Sequence, residues 1–370
     1  MNSKELQNNP TKESLVAWLA EEDPNQVELL LTTARQIKKE ALGDSVHLRG
    51  LIELSNICIK NCLYCGIRCS NLKVERYDLS DAQVLEAADF AWRSRYGSLV
   101  IQSGERTGDA FVKRIEHLVK KIKQQTNNEL GITLSCGEQI EETYRRWFTA
   151  GAHRYLLRIE SSNPKLYARI HPDDGCHRYR SRLEALYNLK KAGYQTGTGV
   201  MIGLPGQTID DLADDLLFFK DFDVDMVGMG PYLEHEDTPF YSLNHKLLPK
   251  EERLMLTFKM VALLRMMMPN INIAATTALQ VIDPYGRERA VLAGANIIMP
   301  NMTISKVRQN YQIYDHKPGI DDDAELSKSH LEENLSKMDI RIAWSEWGDS
   351  KHFQKKFAPN QNSCTFAPED

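Results

Sequence analysis

Several features that direct proteins to membranes or nucleic acids are missing from this 370-residue sequence. No apolar run reaches the roughly 20 residues needed to cross a bilayer. The first residues are polar, and they do not lead into the apolar core of a secretory signal. The net charge at pH 7 is −5, so we expect no binding to nucleic acid or to an anionic membrane.

The sequence also lacks a regular cysteine framework. It has seven cysteines, an odd number, and three of them lie in one short segment, whereas Cys69, Cys136, Cys176 and Cys364 are scattered. Disulfide-stabilised secreted domains usually carry even numbers of cysteines at characteristic spacings. We therefore expect a reduced protein that resides in the cytoplasm.

The most informative segment is a cysteine loop with the spacing Cys-x3-Cys-x2-Cys. Its cysteines are Cys58, Cys62 and Cys65, and Tyr64 stands immediately before the last of them. Three thiolates in one loop can bind three irons of a [4Fe–4S] cubane and leave the fourth iron open for a substrate. The alternatives are buried thiols or a zinc site with Cys69 as fourth ligand, although no second Cys or His pair lies nearby.

This spacing is typical of the radical S-adenosylmethionine (SAM) superfamily, which the chain resembles here. The resemblance implies one [4Fe–4S] cluster bound by the three loop cysteines, which are its metal ligands and catalytic residues, with SAM on the open iron. One electron from the cluster would cleave a carbon–sulfur bond of SAM and leave a 5′-deoxyadenosyl radical. The protein would position these cofactors and exclude water.

From residue 46 onward, short apolar runs alternate with amphipathic helical segments. The strand-like runs span 46–57, 98–103, 131–135, 154–160, 196–203, 226–232, 271–278 and 296–302. Helix start signals stand between them, notably Ser80 with Gln83 and Thr208 with Asp211. This alternation predicts an α/β fold, a parallel (β/α)8 TIM-type radical SAM barrel. An open doubly wound sheet is the alternative, but no Gly-x-Gly-x-x-Gly opens the first helix.

Two extensions flank the predicted barrel. Apolar residues at near-helical spacing predict an N-terminal helical extension over 1–45, interrupted at Asp23-Pro24. We place the barrel at 46–316 and a C-terminal extension at 317–370. The C-terminal extension is acidic, then aromatic, and we expect it to cover the bottom or flank of the barrel and to fray at its end.

Polar residues stand where the predicted strands end, and these ends meet at one mouth of a barrel. The second strand ends in Gln102-Ser103-Gly104-Glu105, and the third ends in Ser135-Cys136-Gly137-Glu138. Glycine lets a ligand approach the backbone closely, which favours a binding site. Two ordinary turns, with carboxylates that suit the helix N-termini, are the alternative.

The fourth and fifth strands carry further candidates. Arg158 and Glu160 share one face of the fourth strand, where buried charges require a partner or a ligand. SAM offers a carboxylate for the arginine and a sulfonium and ribose for the glutamate, while a mutual ion pair is the alternative. Arg182 on the next helix is a further carboxylate ligand or a solvated arginine. The closely spaced Gly197 and Gly199 favour the approach of an adenosyl group.

With these segments in view, the chain resembles the HydE-type maturases of FeFe hydrogenases over about residues 14–316. Beside the cysteine loop, the matching segments are 46–49, 102–105, 154–158, 203–212, 275–278 and 294–301. The resemblance implies that a SAM-derived radical acts on an organometallic iron precursor bearing CO, cyanide and cysteine. The product would enter the di-iron subcluster of the hydrogenase active site, the H-cluster. Companion maturases and a reductant protein would be the partners.

The resemblance also implies two groups of site residues. The cofactor-binding group comprises Tyr64, Gly104, Glu105, Ser135, Arg158, Glu160, Arg182 and Met201. The group that lines the substrate cavity comprises Gln102, Thr276, Thr277, Met299, Tyr311 and Tyr314. From the residues alone, one of the two threonines could serve the strand and Met299 could pack in the core.

Two departures from the family pattern are expected to matter. No cysteine occurs between His316 and His330, and only Cys364 lies beyond, so we expect a single cluster. Ile159 stands where a histidine is expected, which would alter the cavity beside SAM.

Two other functions compete with this interpretation. The first is a radical SAM mutase or synthase for a small amino acid-like substrate, such as methylornithine synthase or biotin synthase. The neutral Thr276, Thr277 and Met299 disfavour a charged amino-acid pocket, and no cysteine set supplies the second cluster of a biotin synthase. The second is a non-catalytic iron–sulfur carrier, which would leave the polar barrel mouth unexplained.

Overall fold

The computed structural model describes residues 6, 8–319 and 324–357. The strands are β1 Ser45–Ser55, β2 Ser98–Ser103, β3 Gly131–Ser135, β4 Arg154–Leu156, β5 Gln195–Thr198, β6 Met201–Ile202, β7 Met226–Pro231, β8 Asn272–Ala275, β9 Ile297–Ile298 and β10 Arg341–Ile342. The α-helices are α1 Lys12–Ala20, α2 Pro24–Leu42, α3 Asp81–Arg93, α4 Asp109–Gln125, α5 Glu141–Ala150, α6 Pro164–Ile170, α7 Tyr179–Lys191, α8 Ile209–Asp221, α9 Lys250–Met267, α10 Leu279–Ile282, α11 Gly286–Leu292, α12 Ser305–Arg308, α13 Ala324–Lys337 and α14 Lys351–Phe357. A 3-10 helix spans Pro239–Lys246.

Eight of these strands form a closed parallel barrel. The order is β1-β2-β3-β4-β5-β7-β8-β9, and β9 pairs with β1 to close it. Helices stand between successive strands, so the predicted (β/α)8 barrel is confirmed. The short β6 follows a break after β5 and pairs with β7 near the mouth.

Local sequence signals explain where several helices begin. Ser80 and Gln83 form a reciprocal capping box at the start of α3, and Thr208 and Asp211 form another at α8. Asp23 caps α2, whose first residue is a proline, and this explains the break between the two N-terminal helices. No helix within the described ranges is long and apolar enough to cross a membrane.

The main hydrophobic core lies between the outer face of the barrel and the surrounding helices. Strand residues such as Ile52 and Leu99 contact helix residues such as Val84, Ile115 and Leu118 within one continuous cluster. Burying this apolar surface contributes roughly 25 cal/mol per Å². The core therefore fixes the positions from which the strand ends present their polar side chains.

The segment after α13 crosses the N-terminal end of the barrel. β10 pairs with the start of β1, and the carbonyl of Gly348 accepts hydrogen bonds from Arg49 and Asn272 inside the barrel. Asp349 forms an ion pair with the fully buried Arg154. These contacts close the end opposite the mouth. The expected fraying and Cys364 lie outside the described residues.

Candidate functional site

The cysteine loop leaves β1 at the barrel mouth and is fixed to three separate segments. Its amides donate to the carbonyls of Glu105, Ile170 and Ile313, which follow β2, end α6 and follow α12. Cys58, Cys62 and Cys65 all carry free thiols. The loop conformation is therefore determined by long-range contacts as well as by its own sequence.

The environment of the three thiols fits an iron–sulfur cluster. Burial raises the pKa of Cys62 to about 12 and also raises the pKa values of Cys58 and Cys65. Thiols in such surroundings ionise only when a cation stabilises the thiolates, as iron does. The backbone amides of Lys60 and Glu105 hydrogen-bond to the Cys58 sulfur, a type of contact that tunes iron–sulfur clusters.

The loop does not favour the zinc alternative. Cys69 is exposed, and its amide donates to the Lys60 carbonyl. A zinc ion draws its ligands to one point, whereas a cubane spreads three thiolates over three irons. Among the described residues, no three His, Cys, Asp or Glu side chains converge as a single-ion site.

The glycines near the mouth serve contacts within the protein. A Cβ on Gly104 would lie 2.5 Å from the Ile57 carbonyl oxygen and 2.9 Å from the Cys58 Cβ, so the cysteine loop itself makes the close approach. A Cβ on Gly199 would lie 1.8 Å from the Gly228 carbonyl oxygen on the adjacent strand. A Cβ on Gly197 would lie 2.9 Å from the Met226 Cε and 3.0 Å from the Leu156 Cδ1. Contacts within the protein thus account for both glycines, and the approach of an adenosyl group stays a prediction.

Four buried charges form a network beside the cysteine loop. Lys60 Nζ lies 3.2 Å from Glu105 Oε1 and 3.1 Å from Glu138 Oε2. Arg182 hydrogen-bonds to Glu138, lies 3.8 Å from Glu105 Oε2 and donates to the Arg158 carbonyl at 2.7 Å. Burial raises the pKa of Glu105, whereas Arg182 and Lys60 outweigh burial and lower the pKa of Glu138. The predicted Glu105 and Arg182 are thus brought together.

Arg158 and Glu160 meet at the end of the fourth strand. Arg158 Nη2 donates to the Val200 carbonyl and lies 3.1 Å from Glu160 Oε2, without the direction of a hydrogen bond. Arg158 Nε and Glu160 Oε2 are buried and have no hydrogen-bond partner among the described residues. Burial raises the pKa of Glu160, whose φ of +65° places it in the strained left-handed region. The pair fits a ligand that carries both an acceptor and a donor or cation.

The remaining cofactor candidates adjoin these residues. The amide of Met201 donates to the Glu160 carbonyl at 3.2 Å, and its side chain belongs to a second apolar cluster that Tyr64 contacts. Ser135 is the last residue of β3 and stands opposite Gln102 in the sheet. The structure thus places the whole predicted cofactor group at one end of the barrel.

Partly exposed side chains indicate an open volume inside the mouth half of the barrel. Seven side chains on the strands or at their C-terminal ends are only half-buried, although they lie inside the circle of helices. They are Gln102, Ser135, Leu156, Arg158, Ala274, Thr276 and Met299. Inward positions of a TIM barrel are normally filled by packed layers. Below them, a small cavity of about 20 Å³ is lined by Leu156 and Met299 together with the deeper Arg49 and Asn272.

The predicted substrate residues come from several elements, namely β2, the ends of β8 and β9, and the segment after α12. Gln102 Nε2 donates to the Tyr311 hydroxyl at 3.1 Å. The Thr276 hydroxyl donates to the Met229 carbonyl at 3.2 Å, so its oxygen remains as an acceptor. The adjacent Thr277 is also half-buried. Tyr314 lies near enough to Glu53 and Arg158 for their charges to act on its pKa, which burial raises.

Ile159 packs in the apolar core. It is fully buried in the core between barrel and helices, and its amide donates to Thr198 Oγ1 at 3.0 Å. Ile159 thus serves apolar packing, and the expectation that it alters the cavity beside SAM stays a prediction.

The sequence interpretation missed two histidines beside the cysteine loop. His177 Nε2 accepts from the Asn61 amide at 3.1 Å and lies 3.7 Å from the Cys62 sulfur, while its Nδ1 is 2.8 Å from Asp174. The His171 ring stacks on His177 at 5.2 Å. They lie in the segment between α6 and α7, where no periodic pattern marks them.

Three charged residues were also missed. Lys60 stands between two of the cysteines, and Glu53 follows the apolar residues Leu51 and Ile52 in β1. Glu53 is buried inside the mouth and pairs with Lys317, which comes from the segment after the barrel. Charges within buried segments were the available signal.

Comparisons with known proteins agree with this site. Residues 52–219 match the model of the radical SAM superfamily. The [FeFe] hydrogenase maturase subunit HydE of Thermotoga maritima is 45% identical over 309 residues, which cover 83% of this chain and 84% of the relative. The 3-methylornithine synthase of Methanosarcina acetivorans is 28% identical over 288 residues, covering 77% and 78%.

A solved structure supports the fold. The FeFe-hydrogenase maturase HydG from Carboxydothermus hydrogenoformans matches with a TM-score of 0.77 at 21% identity, covering 95% of this chain and 80% of HydG. At this identity, the likeness concerns the fold alone. The identity to HydE extends over most of both chains, and the chain therefore belongs to the HydE family of radical SAM enzymes, the FeFe-hydrogenase maturase type.

Proposed function

We propose that this protein cleaves SAM reductively and uses the resulting radical on an organometallic iron–cysteine precursor during assembly of the hydrogenase H-cluster. The observation that carries the proposal is the 45% identity to HydE over 83% of the chain. The geometry supports it, because the cysteine loop, the Arg158–Glu160 pair and the open volume share one barrel mouth.

Membership in the superfamily implies a [4Fe–4S] cluster and SAM. Cys58, Cys62 and Cys65 would hold one cluster through their thiolates, and when bound it supplies the electron that generates the 5′-deoxyadenosyl radical. Arg158 and Glu160 would orient SAM, since both retain buried polar atoms without hydrogen-bond partners among the described residues. Arg182 would support Arg158 through its hydrogen bond to the Arg158 carbonyl, because Glu138 already binds the Arg182 guanidinium.

The open volume inside the barrel would hold the substrate. Half-buried Thr276, Thr277 and Met299 offer hydroxyl and thioether groups, and Tyr311 closes the volume beside Gln102. Hydroxyl groups suit cyanide or another anionic acceptor, and the apolar neighbours suit CO. Companion maturases would act with this protein, and a reductant protein would provide the electron.

A mutase or synthase for an amino acid-like substrate is the second candidate. It draws on the 28% identity to 3-methylornithine synthase. The substrate wall beside β8 and β9 is formed by Thr276 and Met299 and offers no charge for an ammonium or a carboxylate. The lower identity and the neutral wall both favour the maturase.

Matched cysteine variants test the proposed chemistry. Cys62→Ala should lose the reconstituted cluster and all formation of 5′-deoxyadenosine from SAM under anaerobic, reducing conditions. Cys69→Ala is the control, because this exposed thiol lies in the same loop, and it should retain both. SAM cleavage by Cys62→Ala, or its loss in Cys69→Ala, would overturn the assignment of the three ligands.

A further inference from the structure

Lys60 is the only charged residue between Cys58 and Cys65, and its side chain is buried in the mouth. Its ammonium contacts groups from three segments outside the loop: Glu105 after β2, Glu138 after β3, and the carbonyl of Cys176 before α7. Its carbonyl accepts the amide of Cys69 within the loop at 2.8 Å. Lys60 therefore joins the cysteine loop to the strand ends.

Both carboxylates that bind Lys60 also contact Arg182. The four side chains form a closed ring in which the charges alternate in sign, in the order Lys60, Glu105, Arg182 and Glu138. Each side chain is at most 15% exposed. Burying charges is costly unless each has a partner, and here two cations balance two carboxylates. Burial alone would lower the pKa of Lys60, but the two carboxylates outweigh it and raise this pKa.

The ring continues directly into the candidate SAM site. Arg182 Nη1 donates to the Arg158 carbonyl at 2.7 Å, and the Arg158 guanidinium lies 3.1 Å from Glu160. A displacement of the cysteine loop would move Lys60, then its carboxylates, then Arg182. The positions of the cluster ligands and of Arg158 are thus linked through side chains.

We propose that Lys60 is a positioning residue. It holds the cysteine loop at a fixed position relative to Arg182 and Arg158, through the carboxylates of Glu105 and Glu138 that it shares with Arg182. This inference rests on the proposed function, because SAM would bind between the cluster and Arg158 and would depend on their relative position. Lys60 acts through Arg182, so its effect is on SAM affinity and on loop order.

The test compares Lys60→Met with Lys60→Arg and with Lys73→Met. Methionine keeps most of the stem and removes the charge, whereas arginine keeps the charge. Lys73 is the matched control because, within the described part of the chain, its ammonium pairs with Asp237 alone and its side chain is 77% exposed. The measurements are iron content, the dissociation constant of SAM for the reconstituted protein, and hydrogen exchange of the loop amides without the cluster.

We expect Lys60→Met to bind SAM at least about tenfold more weakly and to exchange the amides of residues 61–69 at least about tenfold faster, the effect of losing roughly 1.4 kcal/mol. Lys60→Arg should stay within about threefold of the wild type in both, and Lys73→Met should match the wild type. Unchanged SAM affinity and exchange in Lys60→Met would overturn the proposal.

Two further variants separate tethering from charge balance and from misfolding. The double variant Lys60→Met with Glu105→Gln restores a net charge of zero in the ring but lacks the Lys60 ammonium that joins the loop to the carboxylates. It should remain defective in SAM binding, and recovery of SAM affinity would overturn the proposal. If Lys60→Met does not fold, Glu138→Gln weakens the same ring and must show the same changes. The exchange measurement needs neither cluster nor SAM, so it stands even if the proposed function fails.

Discussion

Lys317, from the segment that follows the barrel, places its ammonium against the carboxylate of Glu53 on β1 inside the mouth. Both side chains are almost fully buried. Lys317 also donates to the Tyr311 carbonyl at 3.0 Å, and Asn301 donates to the second oxygen of Glu53 at 3.1 Å. The pair attaches the segment after the barrel to the wall of the proposed substrate volume.

Breaking this pair should be costly. Lys317→Met leaves Glu53 as a buried charge without its partner, and we expect the free energy of unfolding to fall by about 3–5 kcal/mol. Lys317→Met combined with Glu53→Gln removes both charges and should recover most of this loss. Denaturant unfolding of the cluster-free protein measures both variants. Equal stability of the single and double variants would contradict the account of the pair.

Asp215 predicts a pH dependence of stability. Burial raises its pKa to about 7 from 3.8, and its Oδ1 accepts the Ser162 amide just beyond Glu160. The folded protein therefore holds a proton that the unfolded chain has released between about pH 4 and pH 7. Because the folded state binds more protons, this group makes stability fall as pH rises through that range.

Asp215→Asn should remove this loss, because the amide keeps the acceptor for Ser162 and carries no charge. We expect the variant to be more stable than the wild type at pH 8 by roughly 2–4 kcal/mol, and equally stable near pH 4. Asp214→Asn, on the same helix and paired with Lys12, is the control and should show no such crossover. Parallel pH profiles for Asp215→Asn and wild type would disprove the assignment.

Gly104 is expected to tolerate no side chain. The added methyl of Gly104→Ala would overlap the Ile57 carbonyl and Cys58, so we expect the loop to shift and reconstituted iron to fall by at least about half. Gly228→Ala is the matched control, since its Cβ would meet only Leu156 at an ordinary 3.7 Å. Iron analysis and the cluster absorbance measure both. Full cluster content in Gly104→Ala would show that the loop does not depend on this contact.

The two threonines should affect substrate more than SAM. Thr276→Val with Thr277→Val removes hydroxyl groups from the wall near β8, and we expect SAM affinity within about twofold of wild type. Turnover with the precursor should fall by about tenfold, the effect of one lost hydrogen bond to a ligand. Loss of SAM affinity instead would mean that these residues border SAM. Calorimetry and product analysis distinguish the two results.

The barrel was predictable because its signals are local. Each predicted strand run overlaps a barrel strand, and the capping pairs at Ser80 and Thr208 are read from four-residue patterns. The cysteine loop was equally readable, since its chemistry depends on spacing within one segment. The meeting of Arg158 and Glu160 was predicted from strand alternation, but β4 ends at Leu156 and Glu160 lies in the left-handed region, which no local pattern shows.

The missed features depend on contacts between distant residues. The Lys60 ring joins positions 60, 105, 138 and 182, and Lys317 reaches a strand more than 260 positions earlier in the chain. No local pattern shows which charge meets which. The close approach of Gly199 to the backbone of Gly228 was hidden for a related reason, because only the closed barrel brings these two strands together.

The most direct test of the central claim is the rate of 5′-deoxyadenosine formation by the reconstituted protein with SAM and a one-electron reductant. It is measured with and without a synthetic iron complex bearing CO, cyanide and cysteine. The account predicts that the complex accelerates SAM cleavage and is itself consumed. Slow cleavage that the complex leaves unchanged would contradict the proposed substrate.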